Sequence, residues 1–263
     1  MPGRAGRLTP LAGRLRGAAT VEVLLVASDY DGTLAPMVAD PARAFPDAPA
    51  LRALVELSGL PDTRVALLSG RSRAELARLS GAPAGIELIG GHGAEFGPAA
   101  EGGDEPAAGE ALAAAVAALR AIAGGFAGAE VEPKPTGVAF HYRNVDPARV
   151  AAALALVAEG PARDPRLISR EGKKVVELST SSVNKGDALA RLRDESGAAV
   201  TVFLGDDVTD EDAFAALLAT DVGIKVGAGA TAAEFRLAGQ GEVATVLERL
   251  LGLRRDAAEG LAG

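Results

Sequence analysis

The sequence predicts an α/β fold: a mostly parallel sheet flanked by helices, with a smaller α+β unit inserted into it. Three observations carry that expectation. Short apolar runs recur along the chain and stop abruptly at polar and glycine residues, as buried strands do where they deliver their carboxyl ends to loops. Between the runs lie Ala- and Leu-rich stretches opened by capping residues, so that strand, loop and capped helix alternate. After residue 97 the alternation breaks, and it resumes near residue 179.

In chain order, residues 1–20 contain Arg4, Arg7, Arg14 and Arg16 and no acid. Arg and Gly interrupt any apolar run that a targeting segment would need, so this stretch reads as a mobile basic tail, with a short surface helix as the alternative. The first strand is the run from Val21 to Ala27, which ends at Ser28-Asp29-Tyr30-Asp31-Gly32. Asp47 is placed to cap the helix that follows. A second strand between Arg64 and Ser72 ends at Ser69-Gly70-Arg71, and Ser72 with Glu75 forms a capping box for the next helix. Gly97 to Gly109 is rich in Gly, Pro, Ala and acid and reads as a linker.

Within the insert, helices are expected at about 110–122 and 147–159, and short strands at 129–132, 138–142, 166–169 and 174–178. Asn184-Lys185-Gly186 opens a further core helix. Two more core strands lie within 199–207 and 221–227, and Thr209 with Asp212 and Thr231 with Glu234 read as capping boxes. Gly227-Ala228-Gly229-Ala230-Thr231-Ala232 has a GxGxxA form but no acid about 20 residues downstream on a second strand. It reads as a turn near the candidate site, and Glu242 as a helix start. The expected division is therefore core at 21–97 and 179–252, insert at 98–178, and flexible tails at 1–20 and 253–263.

Composition narrows the function. Among 263 residues, 48% are hydrophobic but only 3% aromatic, which leaves little material for stacking bases. Lys and Arg number 27 against 35 Asp and Glu, giving −8, and this argues against a nucleic-acid partner. No apolar stretch approaches the ~20 residues of a membrane span, so no membrane partner is expected and the cytoplasm is the default location. With no Cys and only two His, a metal would be bound mainly by oxygen.

Four strand ends carry the chemistry. Asp29 and Asp31 stand two residues apart where the chain leaves a buried strand; with a cation to orient it, Asp29 can act as a nucleophile while Asp31 moves a proton. Gly32 and Thr33 offer close backbone approach and amide donors to anionic oxygens. Ser69 and Gly70 lie before a capped helix and suit a phosphoryl oxygen. Lys185 stands at a helix N-terminus, where the dipole disfavours a cation unless an anion compensates. Five acids between Asp206 and Asp212 would repel one another unless screened. Oxygen donors beside a phosphate point to Mg2+, with Asp206 the first ligand and Asp210 a further or alternative one.

Together, DYDGTL, SGR, NKG and GDDVTDEDAF resemble the motifs of the haloacid-dehalogenase-like (HAD) phosphatases. GDDVTDEDAF, GIKVG and TAAEF, with IGGHGAEF and AFHYRN, are more specifically similar to the trehalose-6-phosphate phosphatase family, over about residues 24–250. Ser179-Thr180-Ser181-Ser182 departs from that family's pattern, where an Arg-Pro pair is expected.

The resemblance implies a Rossmann-like HAD core with an inserted α+β cap, and Mg2+-dependent hydrolysis of trehalose 6-phosphate through an aspartyl phosphate. It implies that Asp29 is the nucleophile and Asp31 the acid/base, and that Mg2+ is held by Asp29, the Asp31 carbonyl, Asp206 and Asp210. Thr33, Ser69, Gly70 and Lys185 are implied to hold the phosphoryl group. His92, Lys134, His141, Arg143 and Glu177 are implied to bind the sugar, with His141 and Arg143 alternating along one strand and the cap closing over the core. Sucrose phosphate, mannosyl-phosphoglycerate or a hexose phosphate are alternative substrates, and a non-catalytic sugar-phosphate-binding protein is the alternative of another class. Oligomeric state is left open by the sequence.

Overall fold

The computed structural model describes residues 4–96, 106–134 and 136–261, which divide into two units, Met1–Gly93 with Asn184–Gly263, and Ala94–Val183. The first begins with α1 (Arg4–Ala19), β1 (Leu24–Asp29), α2 (Ala48–Ser58), β2 (Thr63–Leu68), α3 (Arg73–Ser80) and β3 (Ile86–Ile89). The second holds α4 (Pro106–Gly124), β4 (Glu130–Lys134), β5 (Gly137–His141), α5 (Pro147–Glu159), β6 (Ile168–Gly172) and β7 (Val175–Ser179). The chain then returns to the first unit with α6 (Lys185–Ser196), β8 (Val200–Gly205), α7 (Asp210–Ala215), β9 (Val222–Val226), β10 (Phe235–Leu237) and α8 (Val243–Leu261). Among the described residues, no helix is long and apolar enough to cross a membrane.

The first unit's sheet has the order β10-β9-β8-β1-β2-β3, and all its pairings are parallel. All six residues of β1 and all six of β8 are buried, which is why both read as continuous apolar runs. Strand order reverses at β1: β2 and β3 lie on one side, β8 to β10 on the other. In open parallel sheets the crevice beyond such a reversal is where ligands bind. The second unit is a four-stranded antiparallel sheet, β4-β5-β7-β6, whose core combines Val138, Phe140 and Leu178 with Ala111, Leu119, Ala153 and Val157 from α4 and α5.

Several expectations are corrected. Residues 4–19 form α1 instead of a mobile tail: Leu11, Leu15, Ala18 and Ala19 are buried, and burying that stripe holds the helix although Pro10 lies inside it. The C-terminal stretch from 253 is likewise not a tail, since α8 runs to Leu261 and Arg254 is buried. Thr231 and Glu234 open no helix; the Thr231 hydroxyl accepts the Ala233 amide in a turn, and the chain pairs with β9 as β10. Thr209 makes no side-chain cap bond to α7. The segment expected to be a linker, 97–109, falls outside the described residues up to 105, and α4 begins at Pro106.

Candidate active site

Asp29 is the last residue of β1 and lies in register with Leu68, so Ser69 emerges beside it from β2, while Asp206 follows the end of β8 on the other flank. The turn after β1 is tight: the Leu34 and Ala35 amides donate to the Tyr30 carbonyl at 2.9 and 2.8 Å, and the Tyr30 hydroxyl donates to the Ala44 carbonyl at 2.8 Å. Gly32 sits at φ +90°, and a Cβ there would lie 2.2 Å from Asp206 Oδ2. Glycine is required on both counts, because it alone permits that backbone and that approach.

Lys185, the first residue of α6, is buried, and its Nζ donates to Asp29 Oδ1 at 2.6 Å and to Asp210 Oδ1 at 2.7 Å. Burial alone would push the Lys185 ammonium down, but Asp210 and Asp29 outweigh it and hold it above its ordinary range. The anion that the sequence required at this helix terminus is therefore a pair of carboxylates. Asp210 Oδ2 accepts the amides of Asp206 and Asp207, both at 2.8 Å. With both oxygens engaged, Asp210 orients Lys185 and the loop before α7; Thr209 itself has helical backbone, φ −66° and ψ −18°, instead of the extended geometry of a capping residue.

Asp29, Asp206 and Asp210 are all buried and offer carboxylate oxygens within 4.8 Å of one another. Burial pushes the Asp29 carboxyl well above its ordinary value, Asp210 and Asp206 add to the shift, and Lys185 opposes it. Asp29 Oδ2 and Thr33 Oγ1 are buried without a hydrogen-bond partner among the described residues. A desolvated carboxylate oxygen left bare is costly unless a ligand completes it. The cluster fits a hard divalent cation, because its donors are oxygens and its charge exceeds what one lysine offsets.

Asp31 is placed differently. Both its oxygens accept from Arg71, at 2.6 Å from Nε and 2.8 Å from Nη2, and Arg71 also reaches the Pro41 carbonyl at 3.0 Å. Its carboxylate thus stands apart from the three clustered acids. Ser69 is buried, its hydroxyl accepting the Arg71 amide at 3.1 Å and its carbonyl the His92 amide at 2.9 Å. Gly70 lets the His92 ring approach: a Cβ there would meet Nε2 at 2.4 Å. In the sequence Arg71 stands out only as part of the Ser69-Gly70-Arg71 run; the Ser72 cap beside it, accepting the Glu75 amide at 3.2 Å, is as expected.

Within the second unit, Lys134 at the end of β4 donates to Glu177 Oε2 at 2.8 Å, and both side chains are nearly buried. His141 Nε2 lies 2.8 Å from Glu132 Oε2. Arg143 does not continue the strand with His141. β5 ends at His141 because its partner β7 begins at Val175; the Tyr142 amide makes one more bond, to the Lys174 carbonyl, and the chain turns.

Comparison with known proteins places this geometry in context. The family described as trehalose-phosphatase matches residues 27–240. The trehalose-phosphate phosphatase of Mycobacterium ulcerans is 39% identical over 237 residues, covering 84% of this chain and 60% of that protein. That of Mycobacterium tuberculosis is 38% identical over 244 residues, covering 87% and 61%. The chain thus spans about three fifths of the length of these relatives. Among solved structures, the C-terminal domain of C. albicans trehalose-6-phosphate phosphatase superposes with a TM-score of 0.78 at 25% identity, covering 93% of this chain and 97% of that one.

Proposed function

The chain belongs to the trehalose-phosphatase family, and we propose that it is a Mg2+-dependent phosphatase that hydrolyses trehalose 6-phosphate to trehalose and phosphate. The observation that carries the reading is Asp29: a buried carboxylate at the end of the central strand, one oxygen held by Lys185 and the other without a hydrogen-bond partner, beside Asp206.

In this reading Asp29 attacks phosphorus in line, the bond to the sugar oxygen breaks, and an aspartyl phosphate forms. Asp31 gives its proton to the departing sugar oxygen, then takes one from the water that attacks the phosphoenzyme, which releases phosphate and restores Asp29. Both Asp31 oxygens accept from Arg71 in the conformation described, so the proton-donating form requires that at least one of those bonds open. Lys185, the Ser69 and Thr33 hydroxyls and the Gly70 amide hold the phosphoryl oxygens, and Lys185 keeps its charge because its two carboxylates favour it. Asp29, Asp206 and the Asp31 carbonyl would hold Mg2+, with Asp210 behind them, and when bound the ion polarises the phosphoryl group and offsets charge between phosphate and nucleophile. His92, Lys134, His141, Arg143 and Glu177 bind the sugar.

A phosphate-release panel tests the reading. Trehalose 6-phosphate, sucrose phosphate, mannosyl-phosphoglycerate and glucose 6-phosphate are compared with Mg2+ and with excess chelator. Trehalose 6-phosphate is expected to have the highest kcat/KM and to lose turnover on chelation. Preference for another ester overturns the substrate, and release from none overturns catalysis.

A further inference from the structure

Lys225 lies inside β9, in the sequence GIKVG, and its side chain is buried. A lysine within a buried strand is expensive unless its ammonium is met by acceptors. Here Nζ donates to the Asp207 carbonyl at 3.0 Å and to Glu211 Oε1 at 2.9 Å, and it lies 5.9 Å from the centre of the Phe214 ring. Glu211 uses its other oxygen to accept the Ala232 amide at 2.8 Å. Phe214 in turn packs edge-on against Phe203 of β8, with ring centres 5.3 Å apart.

The loop that carries Asp206 is therefore gripped from two sides. Lys185 holds it through Asp210, whose second oxygen takes the Asp206 and Asp207 amides. Lys225 holds the same loop one peptide further on, through the Asp207 carbonyl, and ties it through Glu211 to the turn between β9 and β10. We propose that Lys225 is a positioning residue for the divalent-cation site: with Glu211 it fixes the 206–209 loop against the start of α7 so that the Asp206 carboxylate faces Asp29. This rests on the metal-site reading above.

The sign of one measurement separates positioning from simple electrostatics. Lys225 puts a positive charge next to an acidic loop, so on Coulombic grounds alone its removal should tighten cation binding. If it positions the loop, its removal should weaken binding, and loss of a group that orients metal ligands typically costs about 10–100-fold in affinity. The full chain is titrated with Mg2+ by calorimetry as wild type, Asp206→Asn, Lys225→Met, Lys225→Arg and Glu211→Gln, with thermal midpoints measured without metal. Wild type should bind and Asp206→Asn should not; failure of either result rejects the metal site itself. Given that site, Lys225→Met should bind about tenfold or more weakly, and Lys225→Arg, which keeps charge and donors, should recover most of the loss. Glu211→Gln should weaken binding further in the wild-type background than in the Lys225→Met background. Unchanged or tighter binding by Lys225→Met overturns the proposal, as does equal weakening by the Arg and Met variants. If Lys225→Met fails to fold, Lys225→Gln, which also removes the charge, takes its place under the same criteria.

Discussion

Asp29 is charged at a cost that its surroundings only partly offset. Burial, Asp210 and Asp206 push its carboxyl well above the ordinary 3.8, against the pull of Lys185. The metal-free folded protein therefore keeps the Asp29 proton to higher pH than the unfolded chain does. The stabilisation this gives is fully present below the ordinary aspartate value and is lost as pH rises through the raised one. In metal-free thermal denaturation, wild type should lose stability relative to Asp29→Asn as pH is raised from about 4, and Mg2+ binding by wild type should release protons into buffer. Parallel stability profiles would contradict the assignment. Asp29, Lys185 and Asp206 were legible in the sequence because each interrupts a run whose character predicts something else. Arg71 and Lys225 were not read as functional residues: an Arg after Ser-Gly is ordinary, a Lys inside an apolar strand names no partner, and the acids that meet them lie 40 and 14 residues away in sequence.

The start of α6, which presents Lys185, is fixed by its cap. Asn184 Oδ1 accepts the Gly186 and Asp187 amides at 2.8 and 3.0 Å, and Asp187 Oδ2 in turn accepts the Asn184 amide at 3.0 Å. That reciprocal box caps α6 from the residue before Lys185 and so fixes the helix start from which its side chain projects. Asn184→Ala should cost about 1 kcal/mol in denaturant unfolding and weaken phosphate inhibition through a misplaced Lys185; a variant as stable as wild type would show that the helix start is held by other contacts. The Thr231 pattern fitted a capping box as well as Ser72 did, but parallel pairing with β9 prevailed over the local signal. β3 and β10 escaped notice because they are edge strands of four and three residues, too short for periodicity to register.

In the first unit as a whole, the two terminal helices pack against each other and into the core, although both ends of the chain read as tails. The Arg254 guanidinium of α8 is buried and donates to the carbonyls of Ala19, Val21, Glu22, Pro61 and Asp62 and to the Thr63 hydroxyl. These acceptors are almost all backbone atoms, which side-chain patterns cannot display. Arg254→Met would leave several desolvated carbonyls unpaired, a loss of about 2–4 kcal/mol in unfolding free energy, and a change below about 1 kcal/mol would show that water replaces the guanidinium. Arg254 thus ties the chain where it enters β1 and β2, and the opposite, carboxyl ends of β1, β2 and β8 bring together Asp29, Ser69 and Asp206. The most direct test of what they do there is rapid quenching of wild type with phosphorus-labelled trehalose 6-phosphate, followed by mapping of the bound label. It should be found on Asp29. In Asp31→Asn, assayed with an activated ester that needs little protonation, it should remain on the same residue and hydrolyse slowly. Label on another side chain, or sustained turnover by an Asp29→Asn protein verified free of deamidation, would contradict the account.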